Sequence, residues 1–299
     1  MSGYGRGGRV IEGKVADRRH RRAELDAQYN LRAAVPEHGD YFDRWARRSA
    51  AARERLPCRL DVAYGDTPAE TLDIFTTSRP GAPVHLFIHG GYWQAMDKSD
   101  FSFVAEGLAP AGCVVAVLNY ALAPRVGMDE IVRQSRAAVA WLWRNVGRHG
   151  GDPARIHVSG HSAGGHLAAM AMITDWPGFA ADLPPDPIKG GCAISGLFDL
   201  EPIRRCYLNE VLGMDAATAA RNSPIRHVPA SAPPLILALG EAETDEYHRQ
   251  QADFAEVWRA AGHSLRLVLA PGLNHFAVVE ELADPRSPLT RSVVEQMSL

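Results

Sequence analysis

Ser162 lies in the run Ile156-His157-Val158-Ser159-Gly160-His161-Ser162-Ala163-Gly164-Gly165-His166. The apolar part reads as a buried strand, and the glycines as a sharp turn into a helix. Gly160-x-Ser162-x-Gly164 is the pattern of a serine on a strained strand-to-helix corner, its hydroxyl lifted above a sheet. The helix start after it brings N–H groups and a positive dipole end beside the hydroxyl. Such a serine is a poor nucleophile near neutral pH until a base takes its proton and a carboxylate orients that base. On corners of this kind the chain order is nucleophile, acid, histidine. His275 fits the last place, because it follows the strand-like Ser264–Leu269 and a short loop. The acid should follow Leu235–Gly240, where Glu241, Glu243, Asp245 and Glu246 are available. Residue type favours Asp245 and position favours Glu243. Asp245 also reads as a helix N-cap. Glu243 is the first choice and Asp245 the second.

The negative charge that develops on an attacked carbonyl needs donors already in place. The N–H of Ala163 is one. Gly90 and Gly91, after the apolar strand Val84–Ile88, are the others, since glycines let a backbone come close to a ligand. Tyr92 and Trp93 follow, either as an aromatic wall for substrate or as packing. His161 and His166 flank the serine and read as packing residues, not as members of a triad. His161 is placed beside Tyr92 and Trp93 as a candidate substrate contact. His89 reads as a hydrogen-bonded strut.

These residues need a scaffold of alternating strands and helices. Cys58–Tyr64 and Glu70–Phe75 alternate with period two around Gly65-Asp66-Thr67-Pro68, which predicts a hairpin at a sheet edge. Continuous apolar strands follow at Val84–Ile88, Cys113–Leu118, Ile156–Ser159, Gly191–Ser195, Pro234–Leu239 and Ser264–Leu269. Helices are expected over Phe101–Ala111, Met128–Val146 and Glu246–Ala261. This is the pattern of an α/β protein with a mostly parallel central sheet, helices on both faces and its site beyond the strand C-termini. Residues 15–299 are expected to form one domain, opened by a helical cap over 15–57. The irregular, proline-containing stretch 200–232 is expected to form a small lid. Residues 1–14, rich in Gly and Arg, are read as a flexible tail. The run Arg18-Arg19-His20-Arg21-Arg22 is read as a solvated helix face, because Glu24 and Asp26 follow it.

With 46% apolar and 22% charged residues the chain can bury a sizeable core. A net charge of −3 points to neither nucleic acid nor a membrane surface. Four scattered cysteines, Cys58, Cys113, Cys192 and Cys206, form no C-x-x-C pair and read as free thiols of a reducing compartment. With no signal-like or membrane-spanning run, a cytoplasmic location is expected. No phosphate loop, dinucleotide fingerprint or metal motif is present, so no cofactor or metal is expected. The expected partner is a small acyl amide or ester, and the oligomeric state, monomer or homodimer, is left open.

Together, the serine corner, the glycine loop and the late histidine resemble the α/β-hydrolase superfamily over nearly the whole chain after Cys58. His89-Gly90-Gly91-Tyr92-Trp93 is similar to the oxyanion loop of the serine-dependent kynurenine formamidase (arylformamidase) branch. Gly240-Glu241-Ala242-Glu243-Thr244-Asp245-Glu246-Tyr247-His248-Arg249-Gln250-Gln251 resembles that branch's acid loop, and its aspartate falls on Glu243. Asn274-His275-Phe276 is similar to the segment around its histidine. Ala27-Gln28-Tyr29-Asn30 resembles its leading helix, which lies near the site entrance. The resemblance implies hydrolysis of an aryl formamide such as N-formyl-kynurenine. A carboxylesterase for small acyl esters is the second reading, and a non-catalytic binding protein on the same fold is a reading of another class.

Overall fold

The computed structural model describes residues 22–299. The expected tail over residues 1–14 and most of the basic run before Arg22 lie outside the described residues. Eight strands form one sheet: β1 (Cys58–Ala63), β2 (Thr71–Phe75), β3 (Ala82–Ile88), β4 (Val114–Leu118), β5 (Gly151–His161), β6 (Ile188–Ile194), β7 (Leu235–Gly240) and β8 (Leu265–Ala270). Their order is β1-β2-β4-β3-β5-β6-β7-β8. β1 and β2 are the expected antiparallel edge pair, and β2 also meets β4 antiparallel. From β4 to β8 every neighbour is parallel. β3, β4 and β7 are buried along their whole length. That is why they read as unbroken apolar runs rather than alternating ones.

The parallel order decides where chemistry can collect. β3, β5, β7 and β8 all end on the same edge, and β5 lies between β3 and β6. Chain leaving β3, β5, β7 and β8 therefore converges above the centre of the sheet. Helix Met128–Asn145 packs on β5 and on helix Ala163–Met172, and helix Asp245–Ala260 packs on β7 and β8.

Three segments refine the sequence reading. The expected helix over Phe101–Ala111 is two 3-10 turns, Lys98–Asp100 and Ser102–Val104, and one helical turn, Ala105–Leu108. Helix His38–Arg55 takes up the backbone groups that a longer helix would use. The Phe103 N–H donates to Ser49 Oγ (3.2 Å), and Arg53 Nη1 donates to Ser99 O (2.5 Å) and Ser102 Oγ (3.0 Å). At the N-terminus helix Arg22–Tyr29 ends at Asn30, whose side chain accepts from the Ala33 N–H to cap the turn Leu31–Ala34. The stretch 200–232 is a chain of short helical pieces, Glu201–Arg205, Asn209–Leu212, Ala216–Arg221 and Pro224–Arg226. Among the described residues no helix is long and apolar enough to cross a membrane.

Candidate active site

Ser162 is the hinge between β5 and helix Ala163–Met172, with φ 58° and ψ −121°. A non-glycine residue held there carries about 1–3 kcal/mol of strain, so the surroundings must over-determine it. They do so through the Ser162 N–H, which donates to Ile194 O of β6 at 2.8 Å. They also do so through close packing, since every residue of helix Ala163–Met172 is buried. Gly164 shows how tight the corner is. A Cβ there would lie 1.9 Å from Ile88 O and 2.7 Å from His89 O. A serine at a helix start ordinarily caps it, but here its side chain makes no cap hydrogen bond. The hydroxyl is turned toward a cavity instead.

His275 stands after β8 and Glu243 after β7. His275 Nδ1–H donates to Glu243 Oε2 at 2.6 Å, with both side chains buried. Glu243 Oε1 accepts from Ser195 Oγ–H (2.5 Å) and from the Gly240 N–H (2.9 Å). The carboxylate is thus held on both oxygens. A carboxylate only accepts, so Nδ1 carries the imidazole proton and Nε2 is left bare, ready to take one. Asp245, the second candidate, is exposed and is the first residue of its helix. The N-cap is Thr244 rather than Asp245. The structure brings Glu243, and not Asp245, to His275.

The loop after β3 is turned by left-handed backbone at Gly91 (φ 101°), Tyr92 (φ 49°) and Trp93 (φ 59°). The Gln94 and Ala95 N–H groups both close back on Gly91 O at 3.1 Å. This turn splits the aromatic pair. Tyr92 lines the cavity. Trp93 does not: it is fully buried, and its Nε1–H donates to His166 Nδ1 at 3.2 Å. The expectation that Trp93 contacts substrate is therefore corrected; it is a strut that locks the loop onto helix Ala163–Met172. His166 completes the strut by donating from Nε2 to Asn222 O at 2.7 Å. His89 lies between the rings of Tyr120 and Phe101, donates from Nδ1 to Gly90 O (2.8 Å), and is kept neutral by burial. The Ala163 N–H, first of its helix, has no intrahelical acceptor, and Gly90 packs on the corner before it, where a Cβ would lie 2.9 Å from His161 O and 3.1 Å from Ser162 Cβ.

Ser162, His275, His161 and Tyr92 share the lining of one cavity of about 550 Å³, within the roughly 300–1,000 Å³ of small-ligand sites. Phe42 and Trp45 of helix His38–Arg55 and Phe276 form an aromatic wall, while Tyr207, Leu208 and Val211 come from the stretch 200–232. His161 Nε2–H donates to the His275 carbonyl at 2.8 Å, and burial holds the His161 ring well below the usual histidine range. It is both cavity lining and a brace for the histidine loop.

Residue-level reading missed Ser195, which follows β6 and supports Glu243. It also missed Tyr247. The Tyr247 ring lies 4.6 Å from that of His275. Tyr247 OH donates to Tyr92 OH (2.9 Å), which donates to Tyr29 O (2.9 Å). Burial raises both phenols above the ordinary range, so both stay protonated. The leading helix is tied in at the same place, with Tyr29 OH donating to Glu246 Oε2 (2.8 Å) and Thr244 Oγ1 donating to Gln28 O (2.9 Å).

Comparison with known proteins agrees with this architecture. The BD-FAE family model matches residues 72–182. The chain is 33% identical over 253 residues to a kynurenine formamidase of Danio rerio, covering 82% of this chain and 84% of that one. It is 29% identical over 248 residues to esterase LipC of Mycobacterium tuberculosis, covering 76% and 61%. Among solved structures it is similar to a putative thioesterase from Silicibacter sp. TM1040, with TM-score 0.80 and 31% identity, covering 92% of this chain and 99% of that one.

Proposed function

Since the chain belongs to the kynurenine formamidase family and is an α/β-hydrolase with formamidase or esterase activity, we propose that Ser162, His275 and Glu243 carry that activity and that its substrate is an aryl formamide, N-formyl-kynurenine. The observation that carries the reading is the doubly held Glu243 fixing the tautomer of His275 beside a strained, uncapped serine.

In the proposed reaction His275 Nε2 takes the proton of Ser162 Oγ as that oxygen attacks the formyl carbon. The oxyanion is met by N–H groups of Ala163, Gly90 and Gly91. His275 then gives the proton to the aryl nitrogen, the C–N bond breaks, and the aryl amine leaves the formyl-serine. A water enters and His275 takes its proton. The hydroxide adds to the formyl carbon, Ser162 Oγ leaves with the proton from His275, and formate is released. The aromatic wall of Phe42, Trp45 and Phe276 suits a flat aryl group.

The second reading is a carboxylesterase for small acyl esters, and likeness to an esterase supports it. Rates on N-formyl-kynurenine and p-nitrophenyl acetate separate the two. A kcat/KM for the formamide on the order of 10⁴ M⁻¹s⁻¹ or more supports the first. Ester cleavage without formamide turnover would move the protein to the second.

A further inference from the structure

The cavity lining holds one permanently charged side chain, and it belongs to none of the groups assigned above. Arg32 lies in the turn Leu31–Ala34 at the cavity's exposed side. No Asp or Glu lines the cavity with it. Other arginines of the same N-terminal segment sit against carboxylates: Arg22 on Glu210, Arg44 on Glu280, Arg48 on Glu106. Among the described residues Arg32 has no acidic partner. Its guanidinium lies 5.7 Å from the centroid of the Phe42 ring, itself part of the cavity wall, and its charge is felt at the Tyr207 phenol, also in the lining. A cation stacked on an aromatic face at the edge of an apolar cavity, with its donors unspent, matches the planar fork of a carboxylate.

We propose that Arg32 is the specificity-determining residue of this pocket, binding a carboxylate carried by the substrate on the side remote from the bond cleaved at Ser162. The substrate class is an aryl amide or aryl ester whose leaving group bears an acid function. The inference rests on Ser162 being the reacting serine, but not on the reaction being formamide cleavage.

The test uses two matched substrate pairs with the full-length protein. N-formyl-kynurenine is set against 2′-formamidoacetophenone, which lacks the amino-acid end. The ester 3-(4-acetoxyphenyl)propanoate is set against 4-tolyl acetate. Arg32→Gln should lower kcat/KM at least tenfold for the carboxylate member of each pair, through KM, and leave the neutral member within about twofold. Arg32→Lys should recover part of the loss. Equal losses on both members would show a structural role and overturn the proposal, as would no loss on either. If neither formamide is turned over, the formamidase reading falls while the ester pair still decides the role of Arg32.

Discussion

Glu243 Oε1 is occupied by two donors, Ser195 Oγ–H and the Gly240 N–H. This fixes what a Gln in its place must do. Its oxygen stays with those donors, so its NH2 must face His275 Nδ1. His275 then has to present a bare Nδ1 and carry its proton on Nε2, where it cannot accept one from Ser162. Glu243→Gln should therefore lower kcat about 10³–10⁴-fold with little change in fold. Asp245→Asn, at an exposed position, should stay within about twofold. Steady-state kinetics of the two variants side by side checks this, and the reverse ranking would return the acid role to Asp245. The placement of Ser162, Glu243 and His275 was legible because chain order and strand ends narrow the search to a few residues. Tyr247 was not, because nothing in a helix's sequence says that one phenol packs against another element's histidine. Trp93 was misplaced because its direction depends on two successive left-handed residues, Tyr92 and Trp93, that propensity does not favour.

At the scale of elements the site depends on how closely helix Ala163–Met172 approaches the end of β3. Gly164 is the contact point, and the atoms a side chain would strike, Ile88 O and His89 O, are backbone atoms with no room to yield. Gly164→Ala should cost about 3 kcal/mol or more, at the upper end of overpacking penalties. Urea denaturation would show the loss, and an unchanged midpoint would mean the helix can shift away. The sheet was readable because buried parallel strands are continuous apolar runs. The segment after the β3 loop was read as one helix because its composition suits one. Its pieces are set by Ser49 and Arg53, distant in sequence, which take the backbone hydrogen bonds. Local pattern carries no record of such competition.

Across the whole molecule, the N-terminal segment is part of the site's wall rather than an appendage. Arg44 and Trp45 both donate to Glu280, at 2.6 Å and 3.1 Å for their closest contacts, which clamps helix His38–Arg55 beside the His275 loop. The buried histidines set a second global property. Burial pushes His85 down to about 3, and His89 and His166 down to about 4, against about 6.5 when unfolded. The unfolded chain therefore binds more protons between those values. Stability is complete above about pH 6.5 and declines as pH falls toward 4, by about 2 kcal/mol for each such histidine at pH 5. The urea midpoint should drop clearly between pH 7.5 and pH 5.0. A midpoint constant over that range would show that these rings are not held neutral.

The most direct test is the rate of N-formyl-kynurenine hydrolysis by the native protein and by Ser162→Ala, in the same preparation and buffer. The proposed mechanism predicts efficient formate release by the native enzyme and a loss on the order of 10⁴-fold or more in the variant. Equal rates for the two would contradict the assignment of Ser162 as the nucleophile, and with it the whole account of the site.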